Sequence, residues 1–327
     1  MPTTQVEMEQ SPSFLARHEF LIRRLHSLCG LVPVGAYMVI HLLTNATVMD
    51  SAATFQRNVH AIHGLGRILP VVEWGFIFLP ILFHAIFGVV IILGGSPNSQ
   101  TYTYSSNLRY TLQRVTGMIA FLFIMWHVFH MHGWFHAEWW IEKVAGPLGG
   151  AKFRPFNATS SAGSAMQASL LVQVGYAVGV LACVFHLANG IWTMGITWGV
   201  WVSPESQRRA NYVCGAFGLG LAAVGLSALL GFSTTDVEAA REIEDRMYEA
   251  KTATGDIDAN EHKRSGDHGS GGHDGGDPDS ADSDSADSGS ADPGSADHEF
   301  EDVGENESNS DQAAAGSSQV LRRADDT

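Results

Sequence analysis

The chain has 327 residues, a formal net charge of −15 and a mean hydropathy of only +0.04, figures that on their own would suit an acidic soluble protein. They average two unlike parts: residues 1–235 carry 12 Lys+Arg against 8 Asp+Glu, and residues 236–327 carry 7 against 26. A nearly uncharged apolar body followed by a strongly acidic tail excludes an average globular domain and reads as a membrane protein with an appendage.

Residues 1–19 lack an apolar stretch behind a basic start, so no cleavable signal peptide is expected. Five apolar runs follow, near 26–48, 70–94, 112–134, 168–200 and 211–232. Each reaches the roughly 20 helical residues needed to cross about 30 Å of hydrocarbon. Arg23 and Arg24 precede the first run, Arg109 and Arg114 open the third, and Arg208 and Arg209 open the fifth. Trp134, Trp139, Trp140, Trp198 and Trp201 lie where an interfacial aromatic belt belongs. Arg17, Arg23, Arg24, Arg109, Arg114, Arg208 and Arg209 collect on one side, and Arg57, Arg67, Lys143, Lys152 and Arg154 on the other. This asymmetry favours a cytoplasmic N-terminus, and five spans then place the C-terminal tail outside.

Four histidines, His41, His84, His127 and His186, each sit inside a separate apolar run. An ionisable side chain within hydrocarbon is functional by default. In helix one, His41 lies about 15 residues beyond His26, roughly 22 Å from that helix's inner end at 1.5 Å per residue. His60 and His63 fall in the next connection and are expected to be exposed. His84 sits in helix two within Phe83-His84-Ala85-Ile86-Phe87-Gly88. In helix three His127 is followed by His130, His132 and His136, which read as interfacial or as facing a quinone pocket, with solvated side chains the plainer reading. His130 is one turn from His127, and geometry alone leaves either as the deeper ligand. In helix four, Phe185-His186-Leu187-Ala188-Asn189-Gly190 repeats the Phe-His-x-x-x-Gly pattern. The residues Asp236–Ala250 suit a short amphipathic helix, and the Ser-Ala-Asp and Gly-Asp repeats from 251 to 327 suit a disordered acidic tail.

Alternating helix directions sort these histidines into an outer pair, His41 with His127, and an inner pair, His84 with His186. Two levels with two imidazoles each are the arrangement of a diheme bundle. Bis-histidine iron has no open position for oxygen chemistry and serves electron transfer. Zinc fits poorly, because four ligands at two depths cannot surround one ion at about 2 Å. Glu73 is the only acid in the predicted spans, which argues against a di-iron carboxylate site. Cys29, Cys183 and Cys214 form no C-x-x-C-H motif, so haem would be held without a covalent link, as b haem. Gly88 and Gly190, four residues after His84 and His186, share their helix faces and leave room for a flat macrocycle, close helix packing being the plainer reading. Arg24, His26 and Arg114, with neighbouring Ser27, are candidates for holding haem propionates, against ordinary positive-inside flanking. The fold expected is therefore all-α: a polytopic five-helix diheme bundle over 20–235, with the short helix at 236–250 and the tail after it.

The stretches FLIRRLHSLCGLVPVGAYMVIHLLTN (20–45), FIFLPILFHAIFGVVI (76–91), LQRVTGMIAFLFIMWHVFH (112–130), VGVLACVFHLANGIWTMGITWGV (178–200) and SPESQRRANYV (203–213) together resemble the five-helix diheme cytochrome b subunit of succinate dehydrogenase, menaquinone-linked type. The resemblance covers residues 18–232. It implies that His84 and His186 ligate a proximal haem, that His41 and His127 ligate a distal one, and that His127 rather than His130 is the ligand. It further implies flavoprotein and iron–sulfur partner subunits, menaquinone as substrate, and the cytoplasmic membrane of a bacterium. The dicarboxylate chemistry would lie on the partners and only electron transfer and quinone reduction on this chain; no nucleic-acid partner is expected. Val184 stands where fumarate-reducing relatives carry an acid, which favours the succinate-oxidising direction. Two other readings remain at this stage: the cytochrome b of a formate dehydrogenase or hydrogenase, and a non-redox polytopic protein whose histidines serve packing or proton relay.

Overall fold

A computed structural model describes residues 14–264 apart from 95–104, 136, 258 and 261–262. The acidic tail beyond 264, the first thirteen residues and His136 lie outside the described residues. Among the described residues every regular element is helical. Five stretches, Arg17–Met49, Leu69–Leu93, Asn107–His132, Leu170–Thr197 and Pro204–Thr234, are long and apolar enough to cross a membrane.

The first span joins α1 (Phe14–Cys29) to α2 (Ala36–Ala46) through a π-helical turn, Gly30–Gly35, that contains Pro33. Proline has no N–H to donate and its ring crowds the preceding turn, and the wider π turn accommodates both. The helix starts well before the apolar run at 26, and an exposed i,i+4 ion pair, Arg23 to Glu19 at 2.8 Å, lies on its polar first turns. α3 (Ala52–His63) is capped by Ser51 Oγ, which accepts the Thr54 N–H at 3.2 Å. The second span runs from α4 (Leu69–Val72) through another π-helical turn, Glu73–Phe78, into α5 (Leu79–Leu93). α6 (Ser105–His132) stops at Gly133, whose φ of 74° lets its N–H reach the Phe129 carbonyl at 2.8 Å. A short α7 (Glu138–Trp140) precedes α8 (Ala158–Gln167), α9 (Leu170–Thr197), α10 (Pro204–Thr234) and α11 (Val237–Ala253). Ser169, Ser203 and Asp236 cap the last three, and Pro204 takes the first helical position of α10, where its missing N–H costs nothing.

Within the bundle α9 packs against both α6 and α10, α2 against α10, and α1 against α5. Leu42, Val184, Leu187 and Leu221 form one buried cluster along these contacts. Outward-facing positions hold large apolar side chains such as Phe76, Leu79, Leu122 and Leu219, where a water-soluble bundle would place charge.

One end of the bundle is covered by a cap made of α3, the Pro155–Asn157 turn, α8 and α11. Its interior is polar: Gln56, Asn157, Thr159, Ser160 and Glu244 are all buried. Gln56 donates to the Pro155 carbonyl at 2.7 Å and accepts the Ala158 N–H at 2.8 Å. Glu244 accepts the Thr159 N–H, the Ser160 N–H at 3.3 Å and the Ser160 hydroxyl at 2.6 Å. It thereby caps α8, whose own N-cap residue Asn157 makes no such side-chain bond. Burial raises the Glu244 pKa, and the hydrogen bonds from Ser160 and Thr159 pull it back only in part. The helix expected at 236–250 is α11, running to Ala253 with Ala240, Glu244 and Tyr248 turned inward at four-residue spacing.

His60 departs from expectation. It is buried, not exposed, with its ring 5.7 Å from that of Phe156 and both ring nitrogens without a hydrogen-bond partner. The sequence could not show that α11, nearly two hundred residues later, packs back onto α3. Burial, then Lys251 and His63, lower its pKa to about 4.

Candidate functional site

The four intramembrane histidines meet in two pairs. The ring centres of His84 and His186 lie 6.0 Å apart with planes at 83°, and those of His41 and His127 lie 5.9 Å apart at 73°. An imidazole nitrogen binds a transition metal at about 2 Å, which puts the ring centre roughly 3 Å from the ion, so two opposed imidazoles on one iron have centres about 6 Å apart. Both pairs have that spacing, and paired imidazoles are the donors that bis-histidine haem takes.

Ring tautomers agree with this fit. His84 Nδ1 is 2.8 Å from the carbonyl of His26, and His186 Nδ1 is 3.0 Å from the carbonyl of Gln113. A carbonyl only accepts, so each Nδ1 carries the proton and each Nε2 keeps a lone pair, which at His186 faces the Gln113 amide nitrogen at 3.5 Å. His127 Nδ1 faces the Tyr176 hydroxyl at 3.2 Å.

Glycines seat the His84 and His186 rings. A Cβ added at Gly30 would sit inside the van der Waals shell of His84 Cε1, and one at Gly117 would lie 2.8 Å from His186 Cε1. Gly88 and Gly190, singled out from the sequence, are looser: a Cβ there would lie 3.3 Å from His26 Nε2 and 3.5 Å from Gln113 Nε2. The contacts are reciprocal. Each helix offers a polar residue and, four positions on, a glycine: His26 and Gly30 on the first span, His84 and Gly88 on α5, Gln113 and Gly117 on α6, His186 and Gly190 on α9. Across each antiparallel pair, every polar side chain rests on the partner's glycine. Gly30, Gly117 and Gln113 are the residues that sequence reasoning missed, although their four-residue spacing was visible.

The remaining candidates cluster at the end of the bundle away from the cap. The His26 ring stacks on His84, centres 4.0 Å apart and planes at 10°, with its Nε2 buried and unpartnered. Arg24 lies over the rings of Phe20 and Trp198, at 5.0 and 5.4 Å. Ser27 donates to the Arg24 carbonyl at 2.9 Å and accepts the Trp198 indole N–H at 3.1 Å. Arg114 sits over Tyr110 at 4.2 Å and reaches the Ile91 carbonyl at 3.4 Å. Gln113 is anchored in turn: it accepts from Asn189 at 2.7 Å, and Asn189 accepts from Arg109 at 2.9 Å. At the other pair, His41 stacks near Tyr37, centres 5.5 Å apart. His130 is buried, its ring flat against Trp126 at 5.1 Å and 8°, which overturns the solvated reading for this residue.

No family model matches the chain. The chain is 36% identical over 214 residues to the succinate dehydrogenase cytochrome b558 subunit of Bacillus subtilis (strain 168), an alignment that takes in 65% of this chain and 97% of that protein.

Proposed function

Because the chain belongs to the family of succinate dehydrogenase cytochrome b558 subunits, we propose that it anchors a flavoprotein and an iron–sulfur subunit to a bacterial cytoplasmic membrane and holds two b haems, one between His84 and His186 and one between His41 and His127. When bound, the haems supply a one-electron relay from the iron–sulfur subunit to menaquinone. The observation that carries this reading is the pair of histidine couples, each about 6 Å across.

The chain's own residues do the holding. The carbonyls of His26 and Gln113 fix the tautomers of His84 and His186, and Gly30 and Gly117 let those rings lie against backbone. Arg24, His26, Ser27 and Arg114 supply positive charge and hydrogen bonds for propionates beside the first couple, while Gly88 and Gly190 keep side chains out of the same space. The Arg24 end, with seven arginines against five Lys and Arg in the two opposite interhelix loops, is read as cytoplasmic and as the end where the partner subunits dock. Val184 in place of an acid beside His186 supports the succinate-oxidising direction.

The test is a reduced-minus-oxidised absorption spectrum of the purified chain with a pyridine haemochrome count. Two b haems per chain are expected. One haem or none overturns the assignment of the two couples.

A further inference from the structure

The two histidine couples are not held alike. At His84 and His186 the Nδ1 proton goes to a backbone carbonyl, which can only accept. At His127 it faces the Tyr176 hydroxyl, which can donate or accept. If the hydroxyl donated to His127 Nδ1, the ring proton would move to Nε2 and close the lone pair that a metal needs. Something must therefore bias the phenol toward accepting.

His130 gives the phenol a second, nearer partner to which it can donate. Its Nδ1 lies 2.9 Å from the same hydroxyl. When Tyr176 gives its single proton to His130 Nδ1, its oxygen is left to accept from His127 Nδ1–H, and His130 carries its own proton on Nε2. Of the two arrangements that satisfy all three groups, this one alone leaves the His127 Nε2 lone pair free for a metal. The surroundings are built to hold it: Tyr176 and His130 are both buried. The Tyr176 ring stands edge-on to Phe123 at 5.4 Å and 88° and to Trp126 at 5.0 Å and 64°, and His130 stacks flat on the same Trp126.

We propose that Tyr176 and His130 are positioning residues that lock His127 in its Nδ1-protonated form and thereby set the redox potential of the haem it holds. This rests on the proposed function. A hydrogen bond accepted from the Nδ1 proton enriches the ring in electron density and favours the oxidised iron, so its loss should favour reduction.

The experiment is a spectroscopic redox titration of the intact membrane complex, with the haem of this couple identified as the one missing from His127→Ala. Tyr176→Phe removes the hydroxyl and keeps the ring. The expected result is a rise of roughly threefold to tenfold in the reduced-to-oxidised ratio of that haem at its wild-type midpoint, with the other haem unmoved. His130→Leu should move the same haem in the same direction, and His130→Gln, which restores an acceptor, should return it toward wild type. Should Tyr176→Phe fail to accumulate, the two His130 variants carry the test. Two haems with unmoved potentials, or both shifted equally, overturn the role of Tyr176 and leave the proposed function standing. A wild-type complex lacking two haems overturns both.

Discussion

The couple at the Arg24 end and the couple beneath the cap have nearly the same ring separation, 6.0 against 5.9 Å, yet the chain builds them from different materials. The first is made of backbone: two carbonyls orient the rings and two glycines seat them. The second is made of side chains, with Tyr37, Phe123 and Tyr176 around His41 and His127. A backbone acceptor cannot be mutated away or turned into a donor, whereas a side-chain acceptor can be tuned. The difference teaches where the site is rigid and where its properties are adjustable.

Removing a ligand breaks the comparison outright. His84→Ala or His186→Ala should cost one haem and release the partner subunits. His41→Ala or His127→Ala should cost the other haem and abolish quinone reduction while the partners stay attached. Haem count and co-purification measure this, and a His41→Ala protein with both haems and full quinone reductase activity would falsify the ligand assignment.

Glycine substitutions sharpen the comparison. Alanine at Gly30 or Gly117 drives a Cβ into a histidine ring and should destabilise that couple by about 1–3 kcal/mol, seen as lower haem occupancy. Alanine at Gly88 or Gly190 meets nothing closer than 3.3 Å, and the higher helix propensity of alanine offsets up to about 1 kcal/mol of any cost. Equal losses at all four positions would refute the idea that the tight pair of glycines seats the rings.

The smallest effect concerns the cap near neutral pH. The His60 pKa of about 4 in the fold lies below its ordinary 6.5, so the unfolded cap takes up a proton first as pH falls. Stability from this group is full above pH 6.5, lower by about 1.4 kcal/mol at pH 5.5, and levels off below pH 4. Glu244, with its raised pKa, acts oppositely, disfavouring the fold as it ionises at higher pH. Hydrogen-exchange protection of α11 amides, corrected for intrinsic rates, should weaken as pH falls from 6.5 to 4. A His60→Phe protein should lose that slope, and an unchanged slope would exclude His60 as its source.

Much of this was legible in the sequence, for physical reasons. Hydrocarbon demands long apolar helices, so the five spans stand out, and their alternation sorts four histidines into two levels. The ends were less visible: α10 begins at Pro204, not 211, because Ser203 caps a helix whose first turns are polar. Which ring rests on which glycine depends on helix pairing, so Gly88 and Gly190 were noticed beside their histidines while the tighter Gly30 and Gly117 were not. The buried states of His60 and His130 depend on neighbours far along the chain, Phe156 for the first and Tyr176 for the second.

The bond between Glu244 and the start of α8 has a consequence for how the chain is made. Thr159 and Glu244 are 85 residues apart, and two whole membrane-crossing helices, α9 and α10, lie between them. α8 therefore emerges from the ribosome with its Thr159 and Ser160 amides lacking this carboxylate, and the bond waits until both later spans have been threaded and α11 has followed. Closure of the cap then reports that insertion is finished, and a nascent chain stalled before α11 would carry an open end marking it as incomplete.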